Sequence, residues 1–148
     1  MIPKVKAAGM RLVSAFPTIS DLFATALPIL FVVSIFSGCT NLMFRPDAIL
    51  YNTPYEFGLD HEDIFFKTVE GLQLHGWFLL SKGDTKGTVY YLHGNGQNIS
   101  AHIRSVHWLP EKGYHVFMLD YRGYGDSTGA PSVAGVLDDI QTGFDWLV

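Results

Sequence analysis

The run Thr88-Val89-Tyr90-Tyr91-Leu92 is β-branched, aromatic or aliphatic, with no alternation of polar and apolar positions. Such a run suits a central strand buried on both faces, and hence a sheet covered on both sides. His93-Gly94-Asn95-Gly96 follows without a break and ends the strand in a turn. Ile99, Ile103, Val106 and Leu109 then recur at helical spacing behind Asn98 or Ser100 as N-cap, and Gly113 stands where a C-cap belongs. Tyr114 to Tyr121 reads as a second buried strand. A strand, a helix and a strand at this length make a crossover into a parallel sheet, so the fold class is α/β.

The flanks extend this unit. Ile64 to Val69 and Leu72 to Leu80 are apolar runs around a Glu70-Gly71 turn, which predicts a β-hairpin and an antiparallel edge. Ser132 caps a last helix whose Val133, Val136, Leu137, Ile140, Phe144 and Leu147 fall on one face, leaving Asp138 and Asp139 to solvent. The expected whole is a β-hairpin followed by βαβα, about four strands with an unpaired parallel edge.

The first 39 residues are set apart by composition. Lys4, Lys6 and Arg11 precede an uncharged stretch from Leu22 to Ser37, with Gly38 and the single cysteine, Cys39, directly after it. That is a signal-peptide layout. Phe36-Ser37-Gly38-Cys39 resembles the lipobox of bacterial lipoproteins, with Phe36 where Leu or Val is usual. The resemblance implies acylation of Cys39 and a lipid-anchored protein of the cell envelope facing the periplasm, with Thr40 favouring the outer membrane. Two other readings stand beside it. The uncharged run reaches Phe44, 23 residues, enough to cross a hydrocarbon core of roughly 30 Å as an inner-membrane anchor, with Pro28 as a kink. The third is a buried helix with an inert cysteine. Basic residues ahead of the segment export the remainder in both membrane readings. The division expected is a signal or anchor over 1–39 and a partial catalytic domain over 40–148.

From Thr40 onward thirteen Asp and Glu stand against seven Lys and Arg, a balance that repels phosphate backbones and argues against a nucleic-acid partner. No phosphate loop or dinucleotide fingerprint is present, so no cofactor is expected. His102 and His107 are five residues apart and lie on different helix faces, so no metal site is expected.

His93-Gly94-Asn95-Gly96 sits at the carboxyl end of the predicted strand, where open α/β sheets place ligands. Backbone N–H groups aimed from such a turn can hold a developing oxyanion in acyl transfer. Taken with Asp120-Tyr121-Arg122-Gly123-Tyr124-Gly125-Asp126-Ser127 and Pro131-Ser132, the loop resembles the α/β-hydrolase fold family, in its BEM46-like and serine-aminopeptidase-like branches, over Ile64 to Val148. The resemblance implies a serine hydrolase of esters, thioesters or amides acting on a small molecule. In it the Asn95 backbone N–H is an oxyanion donor, His93, Gly94 and Gly96 build the binding loop, and the Asp120 to Ser127 loop shapes the pocket floor. Gly125-Asp126-Ser127-Thr128-Gly129 fits G-x-S-x-G, but Pro131 separates it from the next helix and the last histidine, His115, lies upstream. Ser127 is therefore not read as the nucleophile. By the same resemblance the true elbow follows the next strand, in a protein about twice this length. The chain at hand is expected to lack nucleophile, acid and base. A lipid-anchored binding module without catalysis, or a truncated gene product, is the other reading.

Overall fold

The computed structural model describes residues 43–148. The expected signal or anchor and Cys39 lie outside the described residues. Four strands form one sheet: β1 (His61–Lys67), β2 (Gln73–Leu79), β3 (Gly87–Leu92) and β4 (Tyr114–Asp120), in the order β1-β2-β4-β3. β1 and β2 pair antiparallel about the expected hairpin turn, where Gly71 takes φ 82°. β2 and β4 are antiparallel, and β3 and β4 are parallel in register Gly87 to Tyr114.

β3 is an edge of the described sheet and not the central strand that its apolar run predicts. β4 inserts between it and β2, and Leu92 stays 40% exposed. Composition reports how apolar a strand is; the neighbour it pairs with is decided by topology. β4 holds the middle, and Val116, Phe117, Met118 and Leu119 are wholly buried along it.

Alternation along β2 and β4 splits the core in two. On one face Trp77, Leu79, Val116 and Met118 meet Ile99, Ile103 and Val106. That segment contains a single helical turn, α1 (Ile99–His102), followed by 3-10 turns at Ile103–Ser105 and Pro110–Lys112. The expected core face is therefore present without the expected continuous helix. The apolar spacing is satisfied by tighter turns, and Pro110, which has no N–H to continue a helix, opens the second of them. Asn98 caps α1 by accepting from Ser100 N–H, and Gly113 takes φ 85° at the end of the second turn.

The other face is covered by α2 (Val133–Leu147), capped by Ser132 Oγ accepting from Gly135 N–H. Val136, Ile140 and Leu147 pack on Leu74, Phe117 and Leu119 as expected, whereas Leu137 and Phe144 are exposed. The helix is rotated from its apolar stripe because its innermost positions are Gly135, Asp139 and Gly143. A Cβ on Gly143 would stand 2.3 Å from the Tyr90 hydroxyl, which donates to Ile140 O at 3.0 Å. The missing side chain lets helix and sheet touch at backbone distance. Asp139, expected at the solvent face, is fully buried. Its carboxylate accepts from the Arg122 backbone N–H at 2.8 Å and from Nη2 at 2.9 Å. A buried carboxylate needs such a partner, and Arg122 is 17 residues away in sequence, beyond the reach of helical periodicity.

Candidate active site

The carboxyl ends of β3 and β4 lie side by side because the two strands are parallel. This brings the loop His93–Gln97 against the loop Asp120–Ser127. Tyr121 donates its hydroxyl to His93 O at 2.9 Å and Tyr124 donates to Asn95 O at 2.7 Å, so the second loop props the first from beneath. Burial raises the pKa of both phenols, which keeps them as protonated donors.

From above, the segment Met43–Tyr51 runs across the same edge as a strap. Arg45 N–H donates to Asn95 O at 2.8 Å, Gln97 N–H donates to Arg45 O at 3.1 Å, and Arg45 and Gly96 form a parallel bridge. Asn95 Nδ2 donates to Met43 O at 2.7 Å. Among the described residues the Asn95 backbone N–H donates to no acceptor, while its carbonyl and side chain are held on both sides. A fixed loop thus leaves one backbone N–H free to donate at the carboxyl end of a strand.

The glycines of the loop act differently from expectation. Neither Gly94 nor Gly96 has positive φ; Gln97 takes the left-handed conformation at φ 63°. A Cβ on Gly94 would come no nearer than 3.9 Å to His102. The two glycines leave the outer surface of the loop bare, and the sharp turn falls on Gln97. Nothing in its residue type signals this, since Asn, Asp and Gly are the usual occupants.

The His93 side chain points inward. Its ring stacks on Tyr121 at 4.4 Å and its Nε2 lies 3.4 Å from Asp120 Oδ1, with the side chain wholly buried. His93 therefore supports the loop, and the loop offers backbone to a ligand. Asp120 faces two imidazoles: His75 Nδ1 approaches its other oxygen at 3.7 Å, an ion-pair distance too long for a hydrogen bond. Oδ1 also accepts from Ile99 N–H at 2.9 Å. Burial alone would raise the Asp120 pKa, but His75, His93 and this N–H outweigh it and hold the carboxyl below its ordinary value. For His75, burial works against the charged ring, while Asp120 and Asp63 outweigh it and the net shift is upward. His75 Nε2 and Trp77 Nε1 both reach Asp63 Oδ1, at 3.0 and 2.8 Å. These residues line a cavity of about 510 Å³ between β1, β2 and the strap.

Sequence reasoning missed this carboxylate–imidazole cluster. The available signal was His75 breaking an apolar run at a position whose neighbours are buried. Ser127 is also accounted for: its Oγ donates to Asp120 O at 2.7 Å and accepts from His75 N–H at 2.9 Å, and the residue is buried. It clamps β2 to the end of β4 in place of serving as an exposed nucleophile.

The sheet order, the paired loops and the strap can be set against known proteins. The sequence profile of the serine aminopeptidase S33 family matches residues 83–148, which include both loops. An esterase of Pyrococcus furiosus superposes with a TM-score of 0.57 at 26% identity, over 71% of this chain and 41% of its own. The chain belongs to the α/β-hydrolase family. Among curated relatives, the uncharacterised protein YfhR of Salmonella typhimurium is 41% identical over 112 residues, 72% of this chain and 37% of its own. The α/β-hydrolase domain-containing protein WAV2 of Arabidopsis thaliana is 37% identical over 64% of the chain and 32% of its own. The chain thus spans well under half the length of these relatives.

Proposed function

We propose that these residues form the oxyanion-loop part of a membrane-tethered serine hydrolase that cleaves esters, thioesters or amides of small molecules. The reading is carried by the unused Asn95 N–H, held at the carboxyl end of β3 by Arg45 from above and Tyr124 from below. In that role Asn95 N–H stabilises the tetrahedral oxyanion as one of two donors; loss of one such donor lowers kcat by about 10²–10³. The Asp120 loop is assigned to holding position, because Tyr121 and Tyr124 donate to the His93–Asn95 backbone, Arg122 pairs with Asp139 and Ser127 clamps β2 to β4. Among the described residues no serine stands at a strand-to-helix elbow, so the nucleophile is assigned to sequence beyond them. The N-terminal segment, through an acylated Cys39 or a membrane-spanning run to Phe44, supplies the tether, with the folded part facing the periplasm.

The test is fluorophosphonate labelling of the protein made from its native gene, with the adduct mapped by mass spectrometry and hydrolysis of a p-nitrophenyl ester followed in parallel. An adduct on a serine other than Ser127, together with turnover, supports the proposal. An adduct on Ser127 refutes the assignment of roles, and absence of both adduct and turnover leads instead to a non-catalytic, lipid-anchored binding module.

A further inference from the structure

The tether and the active-site edge meet at one place. Met43 O is 2.7 Å from Asn95 Nδ2, and Cys39 lies four residues upstream, a span of at most about 14 Å. The uncharged run from Leu22 ends at Phe44, inside the strap itself. A tether ending at Cys39 or at Phe44 therefore joins the folded part at its Asn95 edge.

The strap is built to suit that position. Its polar groups are turned toward the protein: Gly125 N–H donates to Asp47 O at 2.9 Å, Asn98 Nδ2 donates to Ile49 O at 2.9 Å, and Tyr51 N–H donates to Ser100 Oγ at 2.9 Å. Its large apolar side chains Ile49 and Leu50, with Tyr55 of the 3-10 turn Pro54–Phe57 that follows, border the cavity beside Asp63 and Asp120 and remain 58%, 66% and 85% exposed. Apolar surface gathered in this way on a protein edge marks an interaction site. Aromatic rings with a polar tip are at home at the headgroup level. There is no Lys or Arg between Arg45 and Lys67, so attraction to anionic headgroups does not drive contact; insertion of apolar side chains does.

We propose that the strap and the Pro54–Phe57 turn after it dock on a lipid bilayer, with Ile49, Leu50, Tyr51 and Tyr55 in the boundary between headgroups and acyl chains, so that the Asn95 site takes amphiphilic acyl esters directly from the membrane. This rests on the tethered-hydrolase reading above. The experiment places a tryptophan reporter in the full chain made from its native gene and reconstituted in vesicles of phosphatidylcholine with brominated acyl chains. Leu50→Trp probes the strap. Asp84→Trp probes the exposed loop before β3, at the opposite end of the strand from Asn95. After subtraction of the parent emission, the Leu50→Trp reporter is expected to be quenched at least twofold more than Asp84→Trp, and Tyr55→Trp is expected to repeat the result. Equal quenching of all three in protein that sediments with the vesicles overturns docking and leaves the tether standing. Protein that does not sediment with vesicles at all overturns the tether and the docking with it.

Discussion

Asp139→Ala tests how the helix α2 is held to the sheet. The Asp139 carboxylate is fully buried and satisfies three donors of Arg122: the backbone N–H, Nε and Nη2, at 2.8 to 3.1 Å. Removing it leaves a guanidinium whose side chain is only 9% exposed with its inner nitrogens unpaired. Breaking a buried pair from one side costs about 3–5 kcal/mol, a large part of the stability of a small domain. With a urea m-value of about 1.5 kcal/mol/M, the unfolding midpoint falls by about 2–3 M. The same guanidinium offers an internal control. Glu70 lies 3.1 Å from Nη1, but its side chain is 62% exposed, so Glu70→Ala costs at most about 1 kcal/mol. Replacing the pair together, as Arg122→Met with Asp139→Leu, restores most of the loss, because the penalty comes from the orphaned charge and not from the missing attraction. Urea unfolding followed by far-UV circular dichroism measures all four proteins. If Asp139→Ala and Glu70→Ala agree within about 1 kcal/mol, burial is not what sets the strength of this contact and the reasoning fails.

Three further outcomes follow from the same geometry. Gly143→Ala is expected to destabilise the fold by about 1–3 kcal/mol despite alanine's better helix propensity, since its Cβ would lie 2.3 Å from the Tyr90 hydroxyl; adding Tyr90→Phe should return most of the loss in urea melts. Ser127→Ala should cost about 1–3 kcal/mol through two buried hydrogen bonds while leaving the fluorophosphonate adduct of the native protein intact, and an adduct lost without loss of fold would contradict it. The raised pKa of His75 means that the stability from its contacts with Asp120 and Asp63 is fully present below its ordinary value of 6.5 and is lost as pH rises through the folded value. The lowered pKa of Asp120 has the opposite consequence, a contribution present above 3.8 and lost as pH falls through the folded value. Thermal midpoints of the parent should therefore decline on the alkaline side of pH 6.5, and His75→Asn should flatten that decline; equal slopes in both would remove His75 as the cause.

Much of the fold is local information, and the sequence was sufficient for it. The hairpin around Gly71, the N-caps at Asn98 and Ser132 and the left-handed Gly113 rest on interactions within a few residues, and the parallel pairing of β3 with β4 follows from the order and length of the elements between them. The two motif loops also carried the α/β-hydrolase resemblance, and with it Asn95 as the residue to watch. What the tertiary structure alone decided involves partners distant in the chain. β4 entered between β2 and β3, which placed the Thr88–Leu92 run at an edge of the described sheet. Asp139 turned inward because Arg122 was waiting across the helix–sheet interface, and helical periodicity holds no record of a partner on another element. His75, Asp63 and Asp120 became one cluster because antiparallel pairing set β1, β2 and the end of β4 side by side. The strap from Met43 to Tyr51 crossed the site because its backbone hydrogen bonds found acceptors and donors some 50 residues away. Side-chain pattern reports which face of an element is apolar; which element arrives to cover it, and which polar groups must then be paired, is settled only when the layers close.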